Sequence, residues 1–410
     1  MKYVVLLGDG MADYPTDKLG GKTPLECAFT PFMDQIAAEG TLGRVDTIPP
    51  GVNPGSDVAT LSVLGYDPRE TYTGRGPLEA ASMGLSLRSD DVVYRCNLVT
   101  IGDQNSPSAF MEDFTAGHIS SAEAGEMISD INKELGKPPY EFFPGVGYRH
   151  LFVRRESPAS PETTPPHDIT GKPIAEYLPR GNSFEEINSI MRRAGEILRD
   201  HPVNIRRKEA GKKQANSIWL WGQGKKPQLV PLTQKYSIAG AMISAVDLLK
   251  GIGVIAGLKV CNVEGATGYI DTNYEGKARM ALDVLNFVDF VFVHLEAPDE
   301  MGHEGNAEGK IRAIELFDQK IVGPILTQMH SFGDYRVIVL SDHPTPLDVR
   351  THVSDPSPFA VLSSIKEENK ATGLSFNEVN AGASKLLISP GHLLMDKFMN
   401  DWGSVVSLSK

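Results

Sequence analysis

Residues 1–15 read MKYVVLLGDGMADYP, and the run YVVLL (3–7) within them decides the fold class. This run is continuous in aromatic, β-branched and other apolar side chains, which is typical of a parallel strand buried on both faces. The residues GDG (8–10) follow it and predict that the strand ends in a loop carrying an aspartate. Two later segments have the same form, DFVFVHLEAPD (289–299) and RVIVLSDH (336–343). Each strand-like run therefore leads into an acidic segment.

Helical patterns lie among these runs. Apolar residues recur with helical spacing from Ala239 to Leu249 and from Glu308 to Met329. Strands that alternate with helices predict an α/β fold with a doubly wound, mostly parallel sheet. Ligands of such sheets bind outside the carboxyl ends of the strands, so we expect Asp9, Asp299 and Asp342 to lie close together. Each aspartate alone is better explained as a helix cap or turn former, and only the set favours a site.

The middle of the chain differs from its two ends. A length of 410 residues favours two domains, or one core with a large insertion. Strand candidates at 92–101, 141–143 and 150–154, a helix candidate at 184–199 and the Pro-rich link SPASPETTPP (157–166) occur in this part. We predict a smaller α/β domain of residues 88–229, which binds substrate, inserted into a metal-binding core of residues 1–87 and 230–410.

The composition is that of a folded protein, with 41% hydrophobic and 22% charged residues. A formal net charge of −12 argues against a nucleic-acid partner. The three cysteines are far apart and lack metal-knuckle or redox spacing, which favours reduced thiols and a cytoplasmic location. The first apolar run is too short for a signal peptide or a membrane span, so we expect neither secretion nor a membrane partner.

Carboxylates and histidines cluster late in the chain. Asp299 and His303 are four residues apart, Asp342 and His343 are adjacent, and His352 follows nine residues later. One histidine beside one aspartate is more often a structural pair than a pair of ligands. Together with Asp9, however, these residues supply six ligands, enough for two ions of manganese, zinc or iron with open positions. Paired ions of that kind suit phosphoryl or sulfuryl transfer.

A candidate nucleophile lies in the segment PGSDVATLSVLG (54–65). Ser56 closes a Pro/Gly loop and precedes a pattern that predicts an amphipathic helix. Free N–H groups and the helix dipole at that position would favour an alkoxide and a bound phosphate. An ordinary serine N-cap explains this motif equally well.

These residues belong to ordered motifs that resemble the archaeal-type cofactor-independent phosphoglycerate mutases of the alkaline phosphatase superfamily. The motifs are LLGDGMAD, PGSDVATLSVLGYDP, TGRGPLEAASMG, RCNLVT, DFTAGHIS, FFPGVGYRHL, GATGYIDTNYEGKA, HLEAPDEMGHEGN, KIRAIELFD and LSDHPTP. The resemblance implies an alkaline phosphatase-like core with two divalent ions, Mn²⁺ or Zn²⁺, and no 2,3-bisphosphoglycerate. It implies that one ion is held by Asp299, His303 and His352, and the other by Asp9, Ser56, Asp342 and His343.

The resemblance also implies that 3-phosphoglycerate and 2-phosphoglycerate are interconverted through a phosphorylated Ser56. Candidate contacts to this small phosphorylated substrate are His118, as an acid or base, and Arg149, as a partner for carboxylate or phosphate. For Arg206 and Lys235 a plain surface role is equally well supported. For Asp168 a turn explains the sequence as well as a substrate contact does.

Other activities are compatible with the same metal motifs. Some relatives of this group have been proposed to be homoserine kinases, and a phosphatase could use the same core. The sequence contains no GxxxxGK[ST] phosphate-binding loop, so a kinase has no independent support. A sulfatase modification motif is absent around Ser56, and no ligand is lost as it would be in a non-catalytic descendant.

Overall fold

The computed structural model describes residues 1–103, 106–157 and 159–408. The chain forms two compact units, one made of Met1–Tyr72 with Gln228–Lys410 and the other of Thr73–Pro227. Pro158, in the Pro-rich link, lies outside the described residues.

The strands and helices follow one another along the chain. The strands are β1 Lys2–Gly8, β2 Thr41–Val45, β3 Val92–Gly102, β4 Phe110–Asp113, β5 Tyr140–Phe143, β6 Arg149–Arg154, β7 Ser217–Lys225, β8 Gly240–Ile243, β9 Lys259–Val260, β10 Phe290–Leu295, β11 Tyr335–Ser341, β12 Ser357–Ser363 and β13 Leu387–Ile388. The helices are α1 Pro24–Cys27, α2 Pro31–Glu39, α3 Ser56–Val63, α4 Pro68–Thr71, α5 Arg75–Ser82, α6 Ser121–Leu135, α7 Phe184–Arg199, α8 Pro202–Glu209, α9 Leu232–Lys235, α10 Asp247–Ile255, α11 Tyr274–Leu285, α12 Ala297–Glu304, α13 Ala307–Phe317, α14 Gly323–Gln328, α15 Glu378–Ala383, α16 Leu393–Asn400 and α17 Trp402–Leu408.

The first unit is built on an eight-stranded, mostly parallel sheet. Its strand order is β13-β2-β12-β11-β1-β10-β8-β9, and only β12 runs antiparallel to both of its neighbours. Strand β1 lies in the middle, paired in parallel with β10 and β11. On one face, Val4 and Leu6 of β1 pack in an apolar cluster with Ile36 of α2, Leu285 of α11 and Phe317 of α13. The predicted α/β class with a mostly parallel sheet is confirmed.

One predicted helix is wrong in its first half. Residues 240–243 form the parallel strand β8 beside β10, and the helix that follows spans Asp247–Ile255 instead of Ala239–Leu249. The four residues of β8 are buried on both faces. A short run buried on both faces has no periodicity that separates a strand from a helix, which explains the error. The second predicted helix is found as α13 and α14, joined by a π-helical turn at Asp318–Val322.

The second unit contains an antiparallel sheet with the order β4-β3-β6-β5, and β7 pairs with β3. Its core joins Tyr94 and Leu98 of β3 to Ile128 of α6, Ile190 of α7 and Trp219 of β7. The unit begins at Thr73, earlier than the predicted border at residue 88, because helix α5 packs against β3 and β7. It ends at Pro227, two residues before the predicted end. That this unit binds substrate stays a prediction.

The cysteines and the helix lengths bear on two further expectations. All three cysteines are free, with Cys27 exposed and both Cys96 and Cys261 buried. Among the residues that the structure describes, no helix is both long enough and apolar enough to cross a membrane.

Candidate metal centre

Three neighbouring parallel strands end at the same level, and this register creates the site. Gly8, the last residue of β1, is paired with Leu295 of β10 on one side and with Ser341 of β11 on the other. Asp9 and Asp342 are the next residues of their strands, and both are fully buried. The backbone N–H of Gly10 donates to Oδ1 of Asp342 at 3.0 Å and links the two loops.

Ser56 is the first residue of helix α3, and Gly55 occupies the N-cap position. The Ser56 hydroxyl makes no capping bond. Its Oγ lies 3.2 Å from Oδ1 of Asp9 and 3.3 Å from Nε2 of His343. The rest of α3 is buried on all sides, so the helix is not amphipathic as the sequence predicted. A polar hydroxyl is thus held at the N-terminus of a buried helix and directed at a carboxylate and an imidazole.

A second group of ligand-type side chains lies on helix α12 and on the loop after β11. Asp299 and His303 are one turn apart on α12, with Oδ2 and Nε2 3.0 Å from each other. His352 brings its Nε2 within 3.0 Å of Nε2 of His303 and 3.6 Å of Oδ1 of Asp299. The rings of His343 and His352 have centroids 4.3 Å apart, so the two groups are contiguous. The structure therefore brings together all seven residues predicted as metal ligands.

The three histidines of this cluster all turn Nε2 towards it, because Nδ1 is engaged elsewhere. Nδ1 of His303 faces the carbonyl of Arg350 at 3.1 Å, and Nδ1 of His352 faces the carbonyl of Pro54 at 3.4 Å. A carbonyl can only accept, so Nδ1 carries a proton in both rings, and Nε2 is the nitrogen that can bind an ion once it has given up any proton of its own.

His343 reaches the same state through a hydroxyl. Its Nδ1 lies 3.3 Å from Oγ1 of Thr345, whose own proton goes to Oδ1 of Asp299 at 2.5 Å. Contacts of this kind fix the tautomer of metal-binding histidines.

The buried carboxylates of the cluster would be stabilised by a nearby positive charge. Burial raises the pKa of Asp9 well above its usual value and also raises that of Asp342, and neighbouring carboxylates add to the effect on Asp9. Burial acts in the same direction on Asp299, but hydrogen bonds from His303 and His352 hold its pKa well below the usual value. The hydrogen bond to Asp299 raises the pKa of His303 to about 9.

The cluster also contains ligand atoms that suit divalent ions and lack other partners. Oδ2 of Asp342 is buried and has no hydrogen-bond partner within the described part of the chain. Nε2 atoms of two histidines face each other at 3.0 Å, an arrangement that either a proton or a metal ion between them stabilises and that two bare lone pairs oppose. Imidazole and carboxylate together suit manganese, zinc or iron. The residues present therefore fit a pair of such ions.

Sequence reasoning missed two residues of the site. His294, at the end of β10, places Nε2 2.8 Å from Oδ2 of Asp9 and 3.4 Å from Oε2 of Glu296. Burial, followed by repulsion from Asp299, raises the pKa of Glu296 to about 8. A histidine inside an otherwise apolar buried strand, two residues before a glutamate, was the signal that could have indicated both.

Four of the predicted substrate contacts lie in the second unit. His118 is exposed, with a left-handed backbone (φ 48°) and its N–H donating to Oγ1 of Thr115 at 3.0 Å. Arg149 is exposed, with its guanidinium 5.5 Å from the centre of the Tyr148 ring. Asp168 is also exposed and lies 3.6 Å from Nε2 of the adjacent His167.

The two weaker candidates have partners that fit a surface role. Arg206 is exposed and pairs with Glu126 at 3.0 Å. Lys235 belongs to the first unit, where its Nζ lies 3.3 Å from the carbonyl of Gly65, beyond the C-terminal end of α3. A helix of this length extends about 12 Å, so Lys235 is near the opposite end of α3 from Ser56. The structure does not bring Lys235 to the cluster.

Similar sequences share one description. A family model described as 2,3-bisphosphoglycerate-independent phosphoglycerate mutase matches residues 37–204. A protein of Geobacter sulfurreducens, named a probable 2,3-bisphosphoglycerate-independent phosphoglycerate mutase, is 51% identical over 98% of this chain and 100% of its own length. A protein of Methanosarcina barkeri, with the same name without "probable", is 53% identical over 94% of this chain and 96% of its own.

Two solved structures match over nearly the whole chain. A protein of Pyrococcus horikoshii superposes with a TM-score of 0.81 at 30% identity and covers 100% of this chain and 98% of its own. The cofactor-independent phosphoglycerate mutase of Thermoplasma acidophilum superposes with a TM-score of 0.66 at 26% identity, covering 97% of this chain and 99% of its own.

Proposed function

The chain belongs to the family of 2,3-bisphosphoglycerate-independent phosphoglycerate mutases, and from this premise we propose that it interconverts 3-phosphoglycerate and 2-phosphoglycerate through a phosphorylated Ser56. The family assignment confirms the resemblance seen in the motifs. The observation that carries the proposal is the position of the Ser56 hydroxyl, 3.2 Å from Asp9 and 3.3 Å from His343 within a cluster fit for metal ions.

Two divalent ions, Mn²⁺ or Zn²⁺, complete the proposed site. One would be held by Asp299, His303 and His352, and the other by Asp9, Ser56, Asp342 and His343. When bound, such ions neutralise the charge of the transferred phosphoryl group and lower the pKa of a serine hydroxyl.

The chain itself contributes the nucleophile and its orientation. In the first half-reaction, Oγ of Ser56 forms a bond to phosphorus while the bond from phosphorus to the glycerate oxygen breaks. The proton lost by the serine hydroxyl ends on that glycerate oxygen. In the second half-reaction the other glycerate hydroxyl attacks the phosphoserine, gives up its proton, and Ser56 regains one. The N-terminus of α3 adds free N–H groups and a positive dipole end near the phosphoryl oxygens.

The second unit supplies our remaining candidates for substrate contacts. His118 would serve as acid or base at the glycerate hydroxyls, and Arg149 would bind carboxylate or phosphate. We also propose a cytoplasmic location, which three free thiols and a phosphorylated substrate favour. Names shared by relatives at about half identity favour the mutase over phosphoryl transfer to homoserine.

An enolase-coupled assay with 3-phosphoglycerate tests this function, with Mn²⁺ added and then with chelator. Ser56→Ala should reduce the rate by at least about 10³-fold, because removing a covalent nucleophile leaves only binding contributions. Ser62→Ala is a matched control on the same helix, since the Ser62 hydroxyl is buried without a hydrogen-bond partner in the described residues. Acid quenching of a reaction with ³²P-labelled substrate should give labelled phosphoserine in wild type and none in Ser56→Ala. Near-normal turnover by Ser56→Ala, or release of phosphohomoserine from ATP and homoserine, would refute the proposal.

A further inference from the structure

We infer that His294 is a positioning residue, which holds one oxygen of Asp9 by an N–H bond so that the other oxygen faces Ser56. The inference rests on the proposed function, because Asp9 is one of the residues proposed to hold an ion. His294 itself would touch neither ion nor substrate.

The geometry places His294 directly behind Asp9. It is fully buried at the end of β10, where it is paired in register with Leu7 of the neighbouring β1. Its Nε2 is 2.8 Å from Oδ2 of Asp9, whereas Oδ1 of Asp9 is the atom near Ser56 and His343. The two oxygens of Asp9 thus have separate partners.

The partner of Nδ1 determines which nitrogen carries the proton. Nδ1 of His294 lies 3.1 Å from Oγ of Ser244. That oxygen already accepts from the N–H of Val246 at 3.0 Å, so its hydroxyl proton is free to point at Nδ1. With Nδ1 accepting, the proton resides on Nε2 and is donated to the Asp9 carboxylate.

The other three histidines of the cluster have the opposite arrangement. Nδ1 of His303 and of His352 faces a carbonyl, which cannot donate, and Nδ1 of His343 faces a hydroxyl whose proton is used by Asp299. In those three rings a proton is held on Nδ1 and Nε2 is the nitrogen left for an ion, whereas in His294 the proton is held on Nε2. The contrast separates one histidine that orients a ligand from three that act as ligands.

A third ion between Asp9, His294 and Glu296 is the competing explanation, since their ligand-type atoms lie within 4.8 Å of one another. Two observations favour the N–H bond. The Ser244 hydroxyl, which can donate to Nδ1, favours the tautomer with the proton on Nε2. The buried ammonium group of Lys277 donates to the carbonyl of His294 at 2.9 Å, which already brings a positive charge to this part of the site.

Calorimetric titration of the metal-free protein with Mn²⁺ tests the inference. In His294→Gln the amide nitrogen reaches the position of Nε2 and can still donate to Asp9, whereas in His294→Asn it reaches only the position of Nδ1. We expect wild type to bind two ions. His294→Asn should weaken one of them by roughly 10–100-fold, the usual cost of losing such an orienting contact, and His294→Gln should stay within a few-fold of wild type.

Two further variants make the result interpretable. His330→Gln is a matched control, because His330 is exposed on the 3₁₀ turn Met329–Phe332, and its affinities should equal those of wild type. Ser244→Ala keeps the imidazole and removes only the donor to Nδ1. It should weaken the same ion by a smaller factor, and it replaces His294→Asn if that variant does not fold.

Four results would overturn the inference. Three ions in wild type and two in both His294 variants would make His294 a ligand. Equal losses in His294→Gln and His294→Asn would mean that the ring acts through packing alone, and unchanged affinity in His294→Asn would leave it without a role. Wild type that binds no ion at all would overturn the proposed metal site as well, so the two failures are distinguishable.

Discussion

Replacing Lys310 with methionine should destabilise the first unit severely, although Lys310 touches no predicted ligand. Its side chain is fully buried, and Nζ makes three hydrogen bonds, to Oδ2 of Asp13 at 2.7 Å and to the carbonyls of Ala12 and Thr345 at 3.2 and 2.9 Å. Ala12 lies in the loop after β1, and Thr345 lies in the loop after β11. One ammonium group therefore ties together the two loops that carry Asp9 and Asp342.

The magnitude follows from what remains after the substitution. Methionine fills nearly the same volume, so the loss is electrostatic. Asp13 keeps the N–H groups of Tyr14 and Leu347 but becomes a buried carboxylate without a cation, and two carbonyls lose a donor. Removing one member of a buried pair costs about 3–5 kcal/mol. For a unit of this size that corresponds to a fall of roughly 6–20 °C in Tm.

Differential scanning calorimetry at pH 7 measures this effect. The matched control is Lys320→Met, because Lys320 forms a 2.5 Å ion pair with Glu275 at the surface. An exposed pair contributes about 1 kcal/mol or less, so its Tm should move by only a few degrees. The double variant Lys310→Met with Asp13→Asn should be more stable than Lys310→Met alone by at least about 1 kcal/mol, because no buried charge remains.

A fall in Tm for Lys310→Met no larger than that for Lys320→Met would refute the reasoning. It would show that the ammonium group of Lys310 contributes nothing beyond its aliphatic stem. A double variant less stable than both single variants would contradict the assignment of the cost to an unpaired Asp13.

Three other predictions concern stability and reactivity. Asp318 accepts from two N–H groups in the first turn of α2 (Pro31–Glu39), whose N-cap residue Thr30 makes no side-chain capping bond to a backbone N–H. Asp318→Ala should therefore lower the free energy of unfolding by about 1–2 kcal/mol in chemical denaturation. Burial raises the pKa of Glu378 to about 7, above its unfolded value, so the stability contributed by its neutral form is present at low pH and is lost as pH rises through 7. Between pH 5 and pH 8 the stability of Glu378→Gln should therefore rise relative to that of wild type by roughly 1–3 kcal/mol. The difference in Tm between the two proteins at each pH measures this change. In the native protein only Cys27 should react quickly with a thiol reagent, because the other two cysteines are buried and burial raises their thiol pKa; three fast equivalents would contradict this.

The sheet of the first unit was predictable because its central strands are long and apolar and end in acidic loops. The segments around β1, β10 and β11 all have this form, and each was identified from its sequence pattern alone. Strand β8 was mistaken for a helix because four buried residues carry no usable period. The predicted border of the second unit lies later in the chain than the observed one. Helix α5 belongs to the second unit because it packs against the sheet of that unit, and its sequence gives no sign of this packing.

The proposed metal ligands of the site could be predicted from the sequence, whereas the residues that position those ligands could not. Asp9, Asp342 and His343 follow strands directly, so the ends of parallel strands bring them together. His294 lies inside a strand, where a histidine is usually structural, and its partner Ser244 is distant in sequence. Lys310 lies on a helix whose pattern gives no sign of burial. Such residues act through contacts that only the folded chain creates.

The contacts of Asp9 show that the side chains of the cluster can be held in place by the protein and still be stabilised by a bound ion. Each of its oxygens has its own partner, and the Lys310 bonds hold the adjoining loops, so the ligands are arranged by contacts within the protein. The same burial forces carboxylates together, which raises the pKa of Asp9 and of Asp342 and opposes folding when both are ionised. A divalent cation removes that opposition, and binding to the folded state alone stabilises it by mass action. The chain should therefore melt at a higher temperature with Mn²⁺ than with chelator, and His303→Ala should reduce that difference while Lys320→Met leaves it unchanged.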